Sequence, residues 1–349
     1  MLNNKSVLIA MSGGVDSAAA ALLLKNAGYD CQGVIMRLID TPETESAITD
    51  AKILAEKMGI PLHVLDLRED FRRRVIDNFI SVYESGGTPN PCVECNRFLK
   101  FGALLDFCDR LGCDFLATGH YARIEYSPAL DRHLLLRAAD PKKDQSYFLW
   151  HLTESQLSRI IFPLGGYQKE EVRAIAEGAG LINARKKDSQ DICFVPDGDY
   201  SKVICGLTGK CYPSGNFINP DGKILGRHKG MIHYTIGQRR GLGISASEHL
   251  YVLKKNVDSG DIVLAFKKDI MTNEMTAGGV NFISSAAPTG AFRASVKCRN
   301  TQPPRGATIE PLSNGSVRII FDEPQTYTSP GQSLVMYDGD TVIGGGYLE

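Results

Sequence analysis

Hydrophobic and polar positions follow two different rhythms along this chain. In the first half, short apolar runs are separated by segments of helical spacing. Ser6–Met11 reads as a buried strand, Asp16–Asn26 as a helix closed by Gly28, and Gly33–Leu38 as a second strand. Ala47–Met58 has an amphipathic period and stops at Gly59, and Leu62–Leu67 and Asp70–Tyr83 repeat the strand–helix alternation. Arg97–Leu111 and Asp114–Thr118 complete it, and Gln168–Ala179 adds a helix with Val172 and Ile175 on its apolar face. This alternation predicts βαβ units around a parallel sheet covered on both faces.

Beyond about Tyr200 the rhythm changes. Pro213-Ser214-Gly215-Asn216 and Asn219-Pro220-Asp221-Gly222 are turn clusters between short strands, the second a strong hairpin signal. Ser295–Arg299, Thr308–Pro311, Ser316–Phe321, Ser333–Tyr337 and Thr341–Ile343 are strand-like and divided by Gly, Asn or Pro turns, the spacing of a small β-barrel or sandwich. The expected division is 1–199, 200–270 and 271–349.

Charge sharpens this division. The 349 residues carry a net charge of −1, and their 43% hydrophobic and 23% charged content exclude wholesale disorder, collagen-like repeats and coiled coil. Residues 200–270, however, hold 11 Lys+Arg against 5 Asp+Glu, whereas 1–199 hold 23 against 28 and 271–349 hold 5 against 7. The basic middle segment suits either a polyanion partner or a solvated Lys/Arg face. No run approaches the roughly 18 apolar residues of a membrane helix, and the N-terminus has no signal-peptide pattern. The protein is expected to be cytoplasmic, with no membrane partner. Its nine cysteines are then expected to be thiols, ligands or catalysts and not a disulfide framework.

The strongest local chemistry is Ser12-Gly13-Gly14-Val15-Asp16-Ser17, directly after a strand and directly before a helix. Two glycines let the backbone approach an anion, and the turn's N–H groups with the helix N-terminus bind phosphate. Ser12 and Ser17 add hydroxyl donors, and Asp16 either holds Mg²⁺ or orients the loop. No lysine follows the glycines, which disfavours a Walker-type γ-phosphate transferase.

Two cysteine contexts stand apart. Gly87-Thr88-Pro89-Asn90-Pro91-Cys92-Val93-Glu94-Cys95-Asn96 is a proline-stiffened loop entering the helix near Arg97, where the helix dipole should lower a thiol's pKa. Asp191-Ile192-Cys193-Phe194 follows Lys186 and Lys187, which should also favour thiolate. The C-x-x-C of Cys92 and Cys95 reads as half a metal site or as paired redox or nucleophilic thiols; no second C-x-x-C is present. Cys108 and Cys113 read as core residues.

The strand–S-G-G-V-D-S–helix unit resembles the PP-loop of ATP pyrophosphatases, which cleave ATP between the α and β phosphates. Together with the Pro-Asn-Pro-x-x-x-Cys-Asn loop and the Asp-Ile-Cys-Phe turn, the whole chain resembles the bacterial tRNA-specific 2-thiouridylases. The resemblance continues through Ala117–Arg123, Lys143–Leu149, His233–Gly243 and Pro330-Gly331-Gln332. It implies an α/β N-terminal PP-loop (HUP-like) parallel-sheet domain, a small central domain and a C-terminal β-barrel. It further implies ATP binding by Ala10, Met11, Ser12, Gly13, Gly14, Val15, Asp16, Ser17, Met36 and Gly119, with Mg²⁺ on the phosphates. Catalysis would rest on Cys193, as carrier of a persulfide from an upstream sulfur-carrier protein, and on Cys95 as partner nucleophile. Asn90, Pro91 and Cys92 would touch the target base; His120, Lys143, Asp144, Gln145, Arg299, Asn300 and Gln332 would contact tRNA, with lysine, glutamate and glutamine acceptors as the expected set.

In the implied reaction, the uracil O2 of the wobble uridine is adenylated and sulfur from the persulfide replaces it, leaving a Cys95–Cys193 disulfide to be reduced. Two departures from the family pattern stand out: Cys92 where Asp is usual, and Asn300 where Tyr is frequent. Cys92 either stands in for the Asp or joins Cys95 and Cys193 as ligands of a [4Fe–4S] cluster. A PP-loop ligase acting on another small group is the remaining enzyme alternative, and it would need neither the reactive cysteines nor the basic middle segment.

Overall fold

The computed structural model describes residues 5–181, 192–195 and 197–349. Strands β1 (Ser6–Ala10), β2 (Asp30–Arg37), β3 (Leu62–Asp66), β4 (Phe115–Ala117) and β7 (Ile160–Ile161) form a five-stranded sheet in the order β3-β2-β1-β4-β7, every pair parallel. The chain winds outward from β1 in one direction and then returns to its other side at β4. That reversal opens a crevice beyond the C-terminal ends of β1 and β4, where ligands of open α/β sheets bind.

Helix Val15–Asn26 leaves β1 into this crevice. Ala18, Ala19, Ala20 and Ala21 are all buried: Ala18 and Ala21 on the sheet side, Ala19 and Ala20 against Tyr121, Leu164 and Val172. Small side chains on both faces let helix Lys169–Gly178 pack closely alongside. Two further helical segments cover the other edge. One runs over 68–84 with a π-helical stretch at Arg72–Ile76, and one over 91–110 with a π-helical stretch at Cys95–Ala103.

The second helix starts at Pro91, six residues before the position the sequence suggested. Proline is preorganised for a first helical position, where its missing N–H costs nothing.

The middle segment carries helix Tyr200–Thr208 and a four-stranded sheet, order β10-β11-β8-β9. Its strands are β8 (Gly215–Ile218), β9 (Ile224–His228), β10 (Leu250–Asn256) and β11 (Asp261–Phe266), around Phe217, Tyr234, Val252, Ile262 and Leu264. The Asn219–Gly222 cluster is the β8–β9 hairpin turn.

The last six strands, β12 (Met271–Phe282), β13 (Phe292–Lys297), β14 (Arg305–Pro311), β15 (Val317–Thr326), β16 (Ser333–Asp338) and β17 (Thr341–Leu348), close into a barrel through β12–β17. A hairpin from the first half, β5 (Ala122–Ser127) and β6 (Arg132–Arg137), joins this sheet beside β17. One apolar core runs from Leu8 and Leu116 through Trp150 to Val335 and Tyr337, so barrel and parallel sheet are packed as one body. No helix among the described residues is long and apolar enough to cross a membrane.

Candidate functional site

At the mouth of the crevice the phosphate loop is held by its own hydroxyls. Ser17 Oγ accepts the Ser12 N–H at 3.0 Å and donates to the Gly14 carbonyl at 3.1 Å, and Ser12 Oγ donates to Ser17 Oγ at 3.2 Å. Gly13 has φ +70°, and a β-carbon there would lie 2.8 Å from the Ala47 carbonyl oxygen. Gly119, just beyond β4, backs onto the loop so closely that a β-carbon would lie 3.0 Å from the Asp16 carbonyl carbon and the Ser17 nitrogen. Two glycines thus shape a cradle whose N–H groups and helix N-terminus favour an anion. Ala10, Met11 and Val15 complete the turn, and Met36 packs half-buried at the end of β2.

Asp16 does not face an open cation position. Lys169 Nζ lies 2.7 and 2.8 Å from its two carboxylate oxygens, and Tyr121 Oη donates to Oδ1 at 2.8 Å. Of the two roles left open for Asp16, orienting the loop is the one this geometry serves. Lys169 was not singled out in the sequence, although a signal existed. A lysine in the first turn of a helix opposes the helix dipole and needs a specific partner.

The helix over 91–110 brings Cys92 and Cys95 to the same site as Cys193. Cys95 is buried, and Cys92 and Cys193 are exposed as residues. All three thiols are nonetheless crowded by protein atoms, and desolvation raises each pKa, that of Cys193 to about 12. Cys95 and then Cys92 raise Cys193 further by charge repulsion, so the three sulfurs feel one another. The expected lowering of the thiol pKa values is therefore not found: burial outweighs the helix terminus and Lys100, the nearby cation among the described residues. Lys186, Lys187 and Asp191 lie outside the described residues. All nine cysteines are free, so the structure contains no disulfide; the expected Cys95–Cys193 bond belongs to turnover and is not seen here. The cluster alternative gains no support, since among the described residues no three His, Cys, Asp or Glu side chains are placed to hold a metal ion.

Segment 118–121 ties the two halves of the site together. Gly119 packs on the phosphate loop, and the neighbouring His120 ring lies 5.6 Å from the Phe101 ring of the cysteine helix. His120 is buried, its Nδ1 is 2.7 Å from Thr118 Oγ1, and burial followed by Lys100 holds its pKa well below the usual range. It is therefore a neutral ring at neutral pH.

The loop bearing Asn90 and Pro91 is clasped by the barrel. Gln332 Nε2 donates to the carbonyls of Thr88 and Pro89 at 3.0 and 3.2 Å, and Thr88 Oγ1 donates to Ser329 Oγ at 2.9 Å. Asp144 accepts from the Ala138 and Ser146 N–H groups and the Ser146 hydroxyl, and Gln145 Oε1 accepts from the Tyr121 N–H. Lys143 is half-buried on the same turn. Arg299 is half-buried against Gly237 of the middle segment, with Asn300 exposed beside it. In this structure the side chains of Gln332, Asp144 and Gln145 thus serve the scaffold around the site.

Three family models match in order: tRNA methyl transferase HUP domain over residues 5–197, tRNA methyl transferase PRC-barrel domain over 205–265, and Aminomethyltransferase beta-barrel domain over 272–348. The tRNA-specific 2-thiouridylase MnmA of Clostridioides difficile is 45% identical across 100% of this chain and 99% of that protein. Its counterparts in Clostridium botulinum and Acetivibrio thermocellus are each 42% identical, again across 100% of this chain and at least 99% of theirs. The chain belongs to the tRNA-specific 2-thiouridylase family. Within solved structures, the U34-tRNA thiolase NcsA of Methanococcus maripaludis with its [4Fe–4S] cluster is 19% identical over 60% of this chain and 66% of that one. Its TM-score of 0.37 is too low to bear on function.

The 2-thiouridylase relationship gives the phosphate loop and the thiols a common context. Gly119 packs on the phosphate loop and His120 packs on Phe101 of the cysteine helix, so segment 118–121 contacts the elements that carry both.

Proposed function

We propose that this chain catalyses ATP-dependent 2-thiolation of the wobble uridine of tRNA. What supports this reading is a chain 45% identical to a tRNA-specific 2-thiouridylase that carries a strand–Ser12–Ser17–helix phosphate loop and packs Cys95 in the same core cluster as Phe194, the neighbour of Cys193, 98 residues on from Cys95. The strand–loop–helix arrangement suits ATP: the glycines allow the tight turn that packs against Ala47 and Gly119, and the N-terminus of helix Val15–Asn26 favours a phosphate. With Asp16 engaged by Lys169, Mg²⁺ would ride on the phosphates.

Chemistry on a base requires its extrusion, and Asn90, Pro91 and Cys92, at the start of the cysteine helix, would meet the extruded base. The uracil O2 attacks the α-phosphate, pyrophosphate departs, and an oxygen that would leave far too slowly unaided becomes part of AMP. Cys193, exposed and so reachable by a protein carrying sulfane sulfur, holds the persulfide. Its terminal sulfur attacks C2, AMP leaves, and Cys95 attacks Cys193 Sγ to release thiolated uridine and a transient disulfide. Cys92 takes the place of the usual Asp at the base. The acceptors are the lysine, glutamate and glutamine tRNAs, in the cytoplasm. Methyl transfer, which the wording of the family models suggests, has no use for a phosphate loop beside paired thiols.

The test is to incubate the purified protein with ATP, a tRNA transcript, a persulfide-bearing sulfur donor and a thiol reductant that returns the Cys95–Cys193 disulfide to the dithiol. AMP and 2-thiouridine should form in equal amounts and only when all are present. ATP cleavage independent of tRNA, or thiolation without AMP, would contradict the reading.

A further inference from the structure

The two π-helical stretches, Arg72–Ile76 and Cys95–Ala103, pack against each other, and each sends an arginine to the same ring. The guanidinium carbons of Arg74 and Arg97 lie 4.9 and 5.0 Å from the centroid of Phe98, and are therefore within about 10 Å of each other. Both arginines are exposed, and no carboxylate lies within ion-pair distance of either among the described residues, although Arg97 hydrogen-bonds Tyr347 and feels the buried Glu94 at longer range. The contrast with their neighbours is informative: Arg72 is paired with Asp77 at 2.8 Å and Arg73 with Asp70 at 2.9 Å. Of three consecutive arginines, the one facing the cysteine helix has no carboxylate partner among the described residues. Phe98 is half-buried against the cluster that contains Cys95 and Phe194, which sets the pair at the edge of the thiol site.

Two like charges held on one ring repel each other unless an anion joins them. A planar guanidinium forks onto phosphate oxygens, and successive phosphates of a nucleic acid strand are spaced to meet two such groups. We infer that Arg74, Phe98 and Arg97 form a phosphodiester clamp that grips the RNA strand next to the nucleotide entering the cysteine site. This inference rests on the proposed tRNA 2-thiolation. The clamp is separate from the basic middle segment and from every residue the family resemblance assigns to tRNA.

The experiment measures the affinity of the full-length protein for a tRNA transcript with a wobble uridine, across a range of NaCl concentrations. Arg74→Ala with Arg97→Ala should flatten the slope of log K against log salt by about 1.4–1.8, the loss of two phosphate contacts at about 0.7–0.9 each. Arg74→Lys with Arg97→Lys should keep most of the slope. Arg72→Ala with Arg73→Ala, which removes charges already neutralised, should leave it within about 0.3 of the parent. An unchanged slope in the Arg74/Arg97 double alanine variant overturns the clamp. So does a loss confined to persulfide loading of Cys193, which would assign the pair to a protein partner instead. If the parent itself neither binds nor thiolates tRNA, the proposed function fails, and that outcome is visible without any variant.

Discussion

Lys169 Nζ sits 2.7 Å from Asp16 Oδ1, and the lysine side chain is 5% exposed. The pair joins the first turn of helix Val15–Asn26 to that of helix Lys169–Gly178, and the buried alanines between those helices make the approach close enough to form it. Removing one partner leaves the other charge without compensation in a site largely shut from water. Lys169→Met should therefore cost about 2–4 kcal/mol of stability, less than a fully buried pair because Asp16 is partly exposed. It should also abolish tRNA-dependent pyrophosphate release. Thermal unfolding of Lys169→Met, Asp16→Asn and the double variant checks this, and the double variant should be more stable than the additive sum of the two losses.

Gly119 tests the crevice from its other wall. A β-carbon would press on two backbone atoms of the loop at 3.0 Å, and neither can move alone. Gly119→Ala should destabilise the fold by about 1–3 kcal/mol and suppress pyrophosphate release, while tRNA affinity persists. Fluorescence titration with tRNA beside a pyrophosphate assay separates the two effects.

Much of the architecture was readable because short apolar strands, turn clusters and glycine stops are local signals. The destination of the β5–β6 hairpin was not, since its partner strand Thr341–Leu348 lies about two hundred residues away. The phosphate loop was legible from its own six residues. The cysteine pairing needed the fold, and the direction of the thiol pKa shifts was misjudged because sequence shows the helix terminus and nearby lysines but not the burial that overrides them. Lys100 and Lys169 were passed over because a single lysine carries no motif.

The raised Cys193 pKa has a measurable sign. Burial first, and Cys95 and Cys92 next, push it up to about 12, so the protonated thiol is favoured throughout the neutral range. Alkylation by iodoacetamide should then climb about tenfold per pH unit from pH 7 to 10, without levelling near the ordinary thiol value of about 8.5. Peptide mass spectrometry of the labelled resting protein follows it. A plateau near pH 8.5 would show that burial does not control this thiol.

Gln332 spends its amide on the carbonyls of Thr88 and Pro89. Gln332→Ala should lose about 1–2 kcal/mol of local stability and loosen the loop that leads to Cys92. Thiolation at saturating tRNA should fall while tRNA affinity stays within about twofold, a shift under 0.5 kcal/mol. The reverse pattern would make Gln332 a direct tRNA contact.

The central claim, sulfur insertion into tRNA, is tested most directly by mass spectrometry of tRNA nucleosides from cells lacking this protein. 2-Thiouridine should be lost in those cells and return with the parent chain. It should not return with Cys95→Ser or Cys193→Ser, although both variants still bind ATP and tRNA. Undiminished 2-thiouridine in the deletion strain, or full restoration by either serine variant, would contradict the account.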